Sequence, residues 1–244
     1  MQVTVLGSSA WFATLDRACS GYLVDIGSCR IWLDCGAGTW RNLLDHTDYR
    51  KLGGIVLTHR HPDHVSDVFQ AFHARQYGGS EPMDPIPVWA PQETIDRIAG
   101  YYKEADQGFQ ITPIAAGDSL EIAGATFSLV QMAQPPETVG VRIESGGRVF
   151  AYSADTGPDA DFDALAGNAD VFMCEATLQD SDELWEGHLS ATQAGEIAAR
   201  VGVRNLALTH LPPDRDLGLS LAQAQGTSGD AAVRLTHDGL QLEV

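Results

Sequence analysis

The chain has 244 residues, of which 33 are Asp or Glu and 15 are Lys or Arg, for a formal net charge of −18. That balance favours solubility and excludes broad electrostatic binding to nucleic acid, and no apolar run approaches the roughly 18 residues that a membrane helix needs. Cys19, Cys29, Cys35 and Cys174 are scattered with no Cys-x-x-Cys pair, so a disulfide framework is not expected and a reducing cytoplasm is the expected compartment. Val3 and Val5 alternate with polar residues as in a strand, so no leader is expected.

In chain order, alternation and turn residues predict strands at 2–6, 21–26 and 30–34 and a helix at 39–47. Gly54-Ile55-Val56-Leu57-Thr58 predicts a short buried strand, and a helix of 64–77 follows, ended by Gly78-Gly79. Residues 78–87, rich in Gly and Pro, read as a surface loop before a strand at 86–90 and a helix at 91–104. The pattern then turns to β, at 109–114, 118–122, 125–132, 138–144 and 147–153, with turns at glycines 117, 124, 146 and 147. A helix at 160–167 and a strand at 170–175 precede a helix at 191–201, capped by Ser190 and ended by Gly202, and a strand at 205–210. A helix at 218–225 and strands at 231–236 and 240–243, joined by a tight Asp238-Gly239 hairpin, complete the chain. Helices and strands occur in both halves, so one α/β domain over 1–244 is expected.

The densest chemistry lies in His59-Arg60-His61-Pro62-Asp63-His64, which follows the strand at 54–58. Open α/β sheets place ligand sites at the carboxyl ends of their strands. His59 and His61 are two apart and can approach one ion from an extended segment; Asp63 and His64 follow as the chain turns and can face a second. Imidazole suits zinc, iron, copper or nickel, and the carboxylate adds a hard oxygen that can orient a water. Such a cluster needs distant partners to complete coordination. Asp155 and His210, each at the end of a predicted strand, are candidates.

The cluster resembles the His-x-His-x-Asp-His signature of the metallo-β-lactamase superfamily. Gln2-Val3-Thr4-Val5-Leu6-Gly7-Ser8, Ile31-Trp32-Leu33-Asp34-Cys35-Gly36-Ala37-Gly38, Tyr152-Ser153-Ala154-Asp155-Thr156-Gly157 and Leu208-Thr209-His210 resemble further segments of that family, in the same order. Cys174-Glu175-Ala176-Thr177 and His188-Leu189-Ser190 are similar to its ribonuclease Z-like branch, which includes cyclic-nucleotide phosphodiesterases. The resemblance implies an αββα sandwich of two mixed sheets with helices outside. It implies a binuclear centre, with His59 and His61 at site 1, Asp63, His64 and His210 at site 2, and Asp155 bridging. Zinc is the implied metal, with manganese or iron as alternatives. It also implies hydrolysis by a metal-bridging hydroxide, with Asp63, His188 and Glu175 as catalytic residues: His188 protonates the leaving oxygen and Glu175 orients it.

Two positions depart from the pattern. The family's third site-1 histidine precedes a stretch matched here by Pro135-Pro136-Glu137-Thr138-Val139-Gly140-Val141-Arg142, and Gln134 stands in its place. A neutral amide is a poor ligand for zinc beside imidazole, so site 1 is expected to bind metal more weakly than site 2. Cys174 replaces a histidine and reads as a small buried strand residue. His46, His73 and His237 read as structural or solvent-exposed. Trp11, Trp185, Tyr101 and Tyr102 read first as packing residues and second as walls for a base, Trp185 foremost because it lies three residues before His188.

For the substrate, family enzymes that process transfer RNA carry a long basic arm before the bridging Asp. Only 20 residues separate Gln134 from Asp155, enough for two strands and a turn. The loop Gln179-Asp180-Ser181-Asp182-Glu183-Leu184-Trp185-Glu186 adds four carboxylates before His188 and repels a long phosphate backbone. A small phosphodiester such as a cyclic nucleotide is therefore the expected partner, with long nucleic acid and membranes disfavoured and a homodimer left open. The alternatives are a ribonuclease Z-type endoribonuclease for the transfer-RNA 3′ end and, because of Gln134, a weakly active metal-binding scaffold or sensor.

Overall fold

In a computed structural model the chain folds into two seven-stranded sheets. Residues 1–244 are described, the side chains of Ala105 and Asp106 excepted. The first sheet holds β1 (Gln2–Gly7), β2 (Gly21–Asp25), β3 (Arg30–Cys35), β4 (Gly54–Val56), β5 (Ile86–Ala90) and β6 (Phe109–Pro113). The second runs through β7 (Ser119–Ile122), β8 (Ala125–Gln131), β9 (Val139–Ser145), β10 (Arg148–Tyr152), β11 (Val171–Glu175), β12 (Asn205–Thr209) and β13 (Ala232–Leu235). The last strand, β14 (Gln241–Glu243), returns to pair antiparallel with β1 at the edge of the first sheet. In each sheet a meander of antiparallel strands feeds four parallel ones, β3 to β6 and β10 to β13.

Alternation along the strands builds three apolar layers. Tyr22, Val24, Ile31 and Leu33 meet Phe127, Val141, Phe150 and Tyr152 between the sheets. The opposite faces of the same strands bury Leu23 and Trp32 beneath α1 (Thr39–His46), α3 (Val68–Tyr77) and α4 (Gln92–Tyr101). Phe172 and Cys174 do the same beneath α5 (Phe162–Ala166), α6 (Ala191–Val201) and α7 (Leu217–Thr227). Strands covered on both faces read as near-continuous apolar runs, which is why 30–34 and 170–175 carry so few polar side chains. The result is the αββα sandwich that the family resemblance implied. Among the described residues no helix is long and apolar enough to cross a membrane.

Four expectations are corrected. The Asp238-Gly239 turn does not close a hairpin: β13 pairs parallel with β12 and β14 pairs with β1, so the turn carries the chain from one sheet to the other. Tight-turn chemistry specifies a reversal but not which strands it joins. The strand at 109–114 belongs with the first sheet, parallel to β5, rather than with the β-rich stretch that follows it. The helix at 64–77 is two helices, α2 (Pro62–Val65) and α3, because Asp67 is used elsewhere. Its N–H donates to Cys35 O (2.7 Å) and its carboxylate accepts the Trp40 N–H (2.8 Å) at the start of α1. The helix at 91–104 stops at Tyr101, and a 3₁₀ segment at Lys103–Gln107 follows.

Candidate metal centre

Five strand ends converge on one edge of the sandwich. Asp34 is the penultimate residue of β3, His59 follows β4, Asp155 follows β10, Glu175 ends β11 and His210 follows β12. All are buried, as are Asp63 and His64. His61 caps the short α2 and Pro62 starts it, a position where a missing N–H costs nothing. This turn puts His59 and His61 on the extended approach and Asp63 and His64 in the first helical turn. Among the described residues, six non-glycine residues have positive φ, and four of them lie here: Trp11, Asp34, Ala154 and His210. Backbone held in sparsely populated regions tends to concentrate at functional sites. Gly36 permits the close approach of β3 to this turn, since a Cβ there would stand 2.1 Å from Asp63 O.

The structure brings all six residues expected as ligands into one cluster. His59 Nε2 lies 3.1 Å from His61 Nδ1 and 3.5 Å from Asp155 Oδ2. His64 Nε2 lies 3.2 Å from Asp155 Oδ1 and 4.0 Å from Asp63 Oδ2. His210 Nε2 lies 3.2 Å from Asp63 Oδ2 and 3.4 Å from Asp155 Oδ1. Asp155 is thus within reach of both the His59 and the His210 sides.

Whether these residues suit a metal ion can be read from their outer partners. His64 Nδ1 donates to Asp34 Oδ2 (2.8 Å), and Asp34 also accepts from the Thr58 N–H and hydroxyl and from the Tyr152 hydroxyl. Thr58 Oγ1 in turn meets His59 Nδ1 at 3.0 Å. Thr177 Oγ1 donates to Glu175 Oε2 (2.6 Å) and accepts from His210 Nδ1 (2.8 Å). The network assigns the Nδ1 proton on all three rings and turns Nε2 inward, as outer partners of metal-ligating histidines do. His64 Nε2 and Asp155 Oδ1 are close, yet neither makes a hydrogen bond. Both are buried polar atoms left without a partner among the described residues. The donor set therefore fits divalent cations held by imidazole and carboxylate.

The electrostatics agree. Burial and the neighbouring His59 push His61 down to about 4, and burial and His64 lower His59. Burial opposes the charge on His64, but Asp155 and Asp34 outweigh it and hold its pKa well above the usual value. Burial likewise opposes charge on Asp63 and Asp155, and the surrounding imidazoles keep both carboxyls well below the usual range.

Gln134 is buried, and neither its amide oxygen nor its nitrogen has a hydrogen-bond partner among the described residues. Its neighbour Ala133 is bonded to Thr156 and Gly157, next to Asp155. Cys174 is fully buried in β11 on the helix side. His73 and His237 are exposed, and His46 is half-buried at the end of α1.

Glu175 and His188 form a second constellation against the first. Glu175 Oε1 takes the His188 Nδ1 proton (2.8 Å) and the Thr156 N–H (2.7 Å). The His188 ring stacks on His210 with centroids 5.3 Å apart, and a donor atom of His188 lies within 4.8 Å of those of Asp155 and His210. Burial works against the imidazolium, but the Glu175 charge and hydrogen bond outweigh it and raise the His188 pKa to about 9. The segment carrying His188 presses on the centre so closely that a Cβ on Gly157 would stand 1.6 Å from Glu186 O.

Asp34, Thr58, Thr177 and the Trp11 N–H, which donates to Asp63 Oδ2 (2.9 Å), had no assigned role from sequence. For Asp34 a signal existed: a carboxylate inside the apolar run Ile31–Cys35 must be paired if buried. The threonines gave none, since their partners are distant in sequence.

A family model described as "Beta-lactamase superfamily domain" matches residues 29–211. An uncharacterised protein of Mycobacterium tuberculosis is 32% identical over 237 residues, covering 92% of this chain and 86% of its own. The probable metallo-hydrolase YhfI of Bacillus subtilis is 29% identical over 216 residues, 87% of each chain. Its crystal structure, described as a metallo-beta-lactamase fold protein, superposes with a TM-score of 0.89 at 25% identity over 99% of each chain. A ribonuclease Z of Mycobacterium bovis is 27% identical over 244 residues, 87% of this chain and 86% of its own. With the fold, the convergent strand ends and these similarities taken together, the chain belongs to the metallo-β-lactamase superfamily and is a metallo-hydrolase.

Proposed function

We propose that this chain is a zinc-dependent phosphodiesterase acting on a small phosphodiester such as a cyclic nucleotide. The observation that carries the reading is the buried Glu175–His188 pair, 2.8 Å apart and stacked against His210. Hydrolysis of an ester with a poor leaving group needs a proton delivered at the departing oxygen. His188 can hold that proton on Nε2, because Nδ1 is committed to Glu175. Glu175 is itself fixed by the Thr156, Thr177 and Leu189 N–H groups. Asp63, held by the Trp11 N–H, can accept from the attacking water and orient it toward phosphorus. Water attacks and passes one proton to Asp63, the phosphorus–oxygen ester bond breaks, and the leaving oxygen takes the His188 proton. His59, His61 and Asp155 would hold one divalent ion and Asp63, His64, His210 and Asp155 a second, supplying charge neutralisation and Lewis acidity at the phosphoryl group.

A small substrate is favoured because β9 and β10 are joined directly at Gly146-Gly147, with no arm to grip a transfer RNA. A turnover screen of cyclic mononucleotides against precursor transfer RNA, with zinc and manganese supplied separately, tests this reading. Cleavage of the RNA alone would replace it with the endoribonuclease reading. Metal binding without turnover of any phosphodiester, including bis-p-nitrophenyl phosphate, would leave the scaffold reading, which Gln134 favours.

A further inference from the structure

Two half-exposed tryptophans hang from the loops that hold this site. Trp11 is 47% exposed and Trp185 52% exposed. The backbone of Trp11 is clamped to the cluster: its N–H binds Asp63, and the Ala10 N–H donates to Leu211 O beside His210 (3.2 Å). Trp11 itself sits at φ 63°, a conformation unfavourable for a non-glycine residue. The other tryptophan stands on the proposed acid, its ring 4.8 Å from His188 and edge-on to it. Its loop is locked by the His188 N–H to Trp185 O bond (3.2 Å), by the Asp182–Arg215 ion pair (3.0 Å) and by the contact of Glu186 with Gly157. The Trp11 backbone is therefore held at the cluster and the Trp185 ring at the proposed acid, each residue with large apolar area left in water. The loop of Trp185 carries Asp180, Asp182, Glu183 and Glu186, with Asp182 alone paired to Arg215, and this net negative charge disfavours a second phosphate there. A flat uncharged ring suits both the exposed indoles and the acidic surroundings.

We propose that Trp11 and Trp185 form an aromatic rim that stacks on the nucleobase of the substrate, so that the natural substrate is a nucleoside phosphodiester rather than an alkyl or glycerol one. This rests on the phosphodiesterase reading above. The base is sequence-tolerant in this arrangement, because stacking uses the π-face that every base presents.

The test compares thymidine 5′-(p-nitrophenyl phosphate), bis(p-nitrophenyl) phosphate and methyl p-nitrophenyl phosphate, which all release p-nitrophenolate. The full chain with zinc is expected to prefer the thymidine ester over the methyl ester. Stacking worth about 1–3 kcal/mol per base corresponds to roughly 5- to 150-fold in affinity, so Trp185→Ala should cut that kcat/KM ratio about tenfold, mainly through KM. Trp11→Ala should cut it less, and Trp185→Phe should keep most of it. Binding without turnover is read by quenching of tryptophan fluorescence with thymidine 5′-monophosphate, expected to be lost largely in Trp185→Phe. A ratio unchanged in both alanine variants, with all esters hydrolysed, overturns the rim and leaves the phosphodiesterase reading standing. Quenching by the nucleotide with no ester hydrolysed keeps the rim and overturns the reading. A preference for the bis-aryl ester without one for the thymidine ester overturns the assignment to a nucleobase.

Discussion

His188 and Gln134 are the two side chains whose substitution separates the competing accounts of this site. His188 is buried, bound to Glu175 and adjacent to His210. His188→Ala is expected to slow hydrolysis of a cyclic nucleotide by about 10²–10⁴-fold, the usual range for general-acid help. The loss on a p-nitrophenyl ester should be much smaller, because that leaving group departs without a proton. Equal losses on both, measured as kcat, would assign His188 a structural role. Gln134 offers a buried amide with no partner beside the Asp155 loop. Gln134→His is expected to tighten the weaker metal site and raise activity at limiting zinc, with two ions per chain recovered by elemental analysis where the natural chain holds fewer. Two tight ions in the natural chain, unaffected by the substitution, would remove Gln134 from the site. Asp34 acts one shell further out: Asp34→Asn keeps the shape but loses the charge that orients His64. Outer-partner substitutions typically cost about 10–100-fold in metal affinity, and competition with a chromogenic chelator measures it.

At the scale of elements, the site depends on close approaches between strand ends and loops. Gly157 marks the tightest, with a would-be Cβ 1.6 Å from Glu186 O. Gly157→Ala must displace the loop that ends in His188. Overpacking of this kind costs about 1–3 kcal/mol, and thermal unfolding should show it. The same variant should lose turnover of a cyclic nucleotide beyond what the stability loss explains, because His188 moves with the loop. A lowered melting temperature with unchanged kcat would mean that the loop yields without carrying His188 along. The break between α2 and α3 belongs to this scale as well. It lets Asp67 bind Cys35 and Trp40, so the turn bearing Asp63 and His64 is tied to β3 and α1 rather than riding on a longer helix.

At the scale of the whole molecule, metal, protons and stability are linked. Asp155 and Asp34 raise the His64 pKa against the penalty of burial, while burial lowers those of His59 and His61. A metal ion competes with protons for these ring nitrogens, so binding should release a non-zero number of protons and weaken as pH falls. Titration calorimetry in buffers of different ionisation enthalpy reads that number; a pH-independent affinity would contradict it. A ligand at about 1,000 times its Kd stabilises by about 4 kcal/mol, and for a chain of this size each 1 kcal/mol moves Tm by about 2–4 °C. Chelation should therefore lower Tm by about 8–16 °C, restored by zinc.

How much of this was legible beforehand follows from how far apart the interacting residues lie in the chain. The cluster His59–His64 announces metal chemistry by itself, because its donors are local and their spacing is a property of the chain. Period-two alternation and glycine turns likewise located most strands, since side-chain direction is a local consequence of the backbone. The choice of partners is not local. That β14 crosses to the first sheet, that β6 joins β5, and that Asp34, Thr58 and Thr177 set the tautomers of three histidines all depend on contacts between distant segments. The αββα frame and the candidate ligands were thus determined by sequence. Only the tertiary structure decided which nitrogen of each ring faces inward, and that the Trp185 ring stands against His188, because those outcomes arise when separate strand ends are packed against one another.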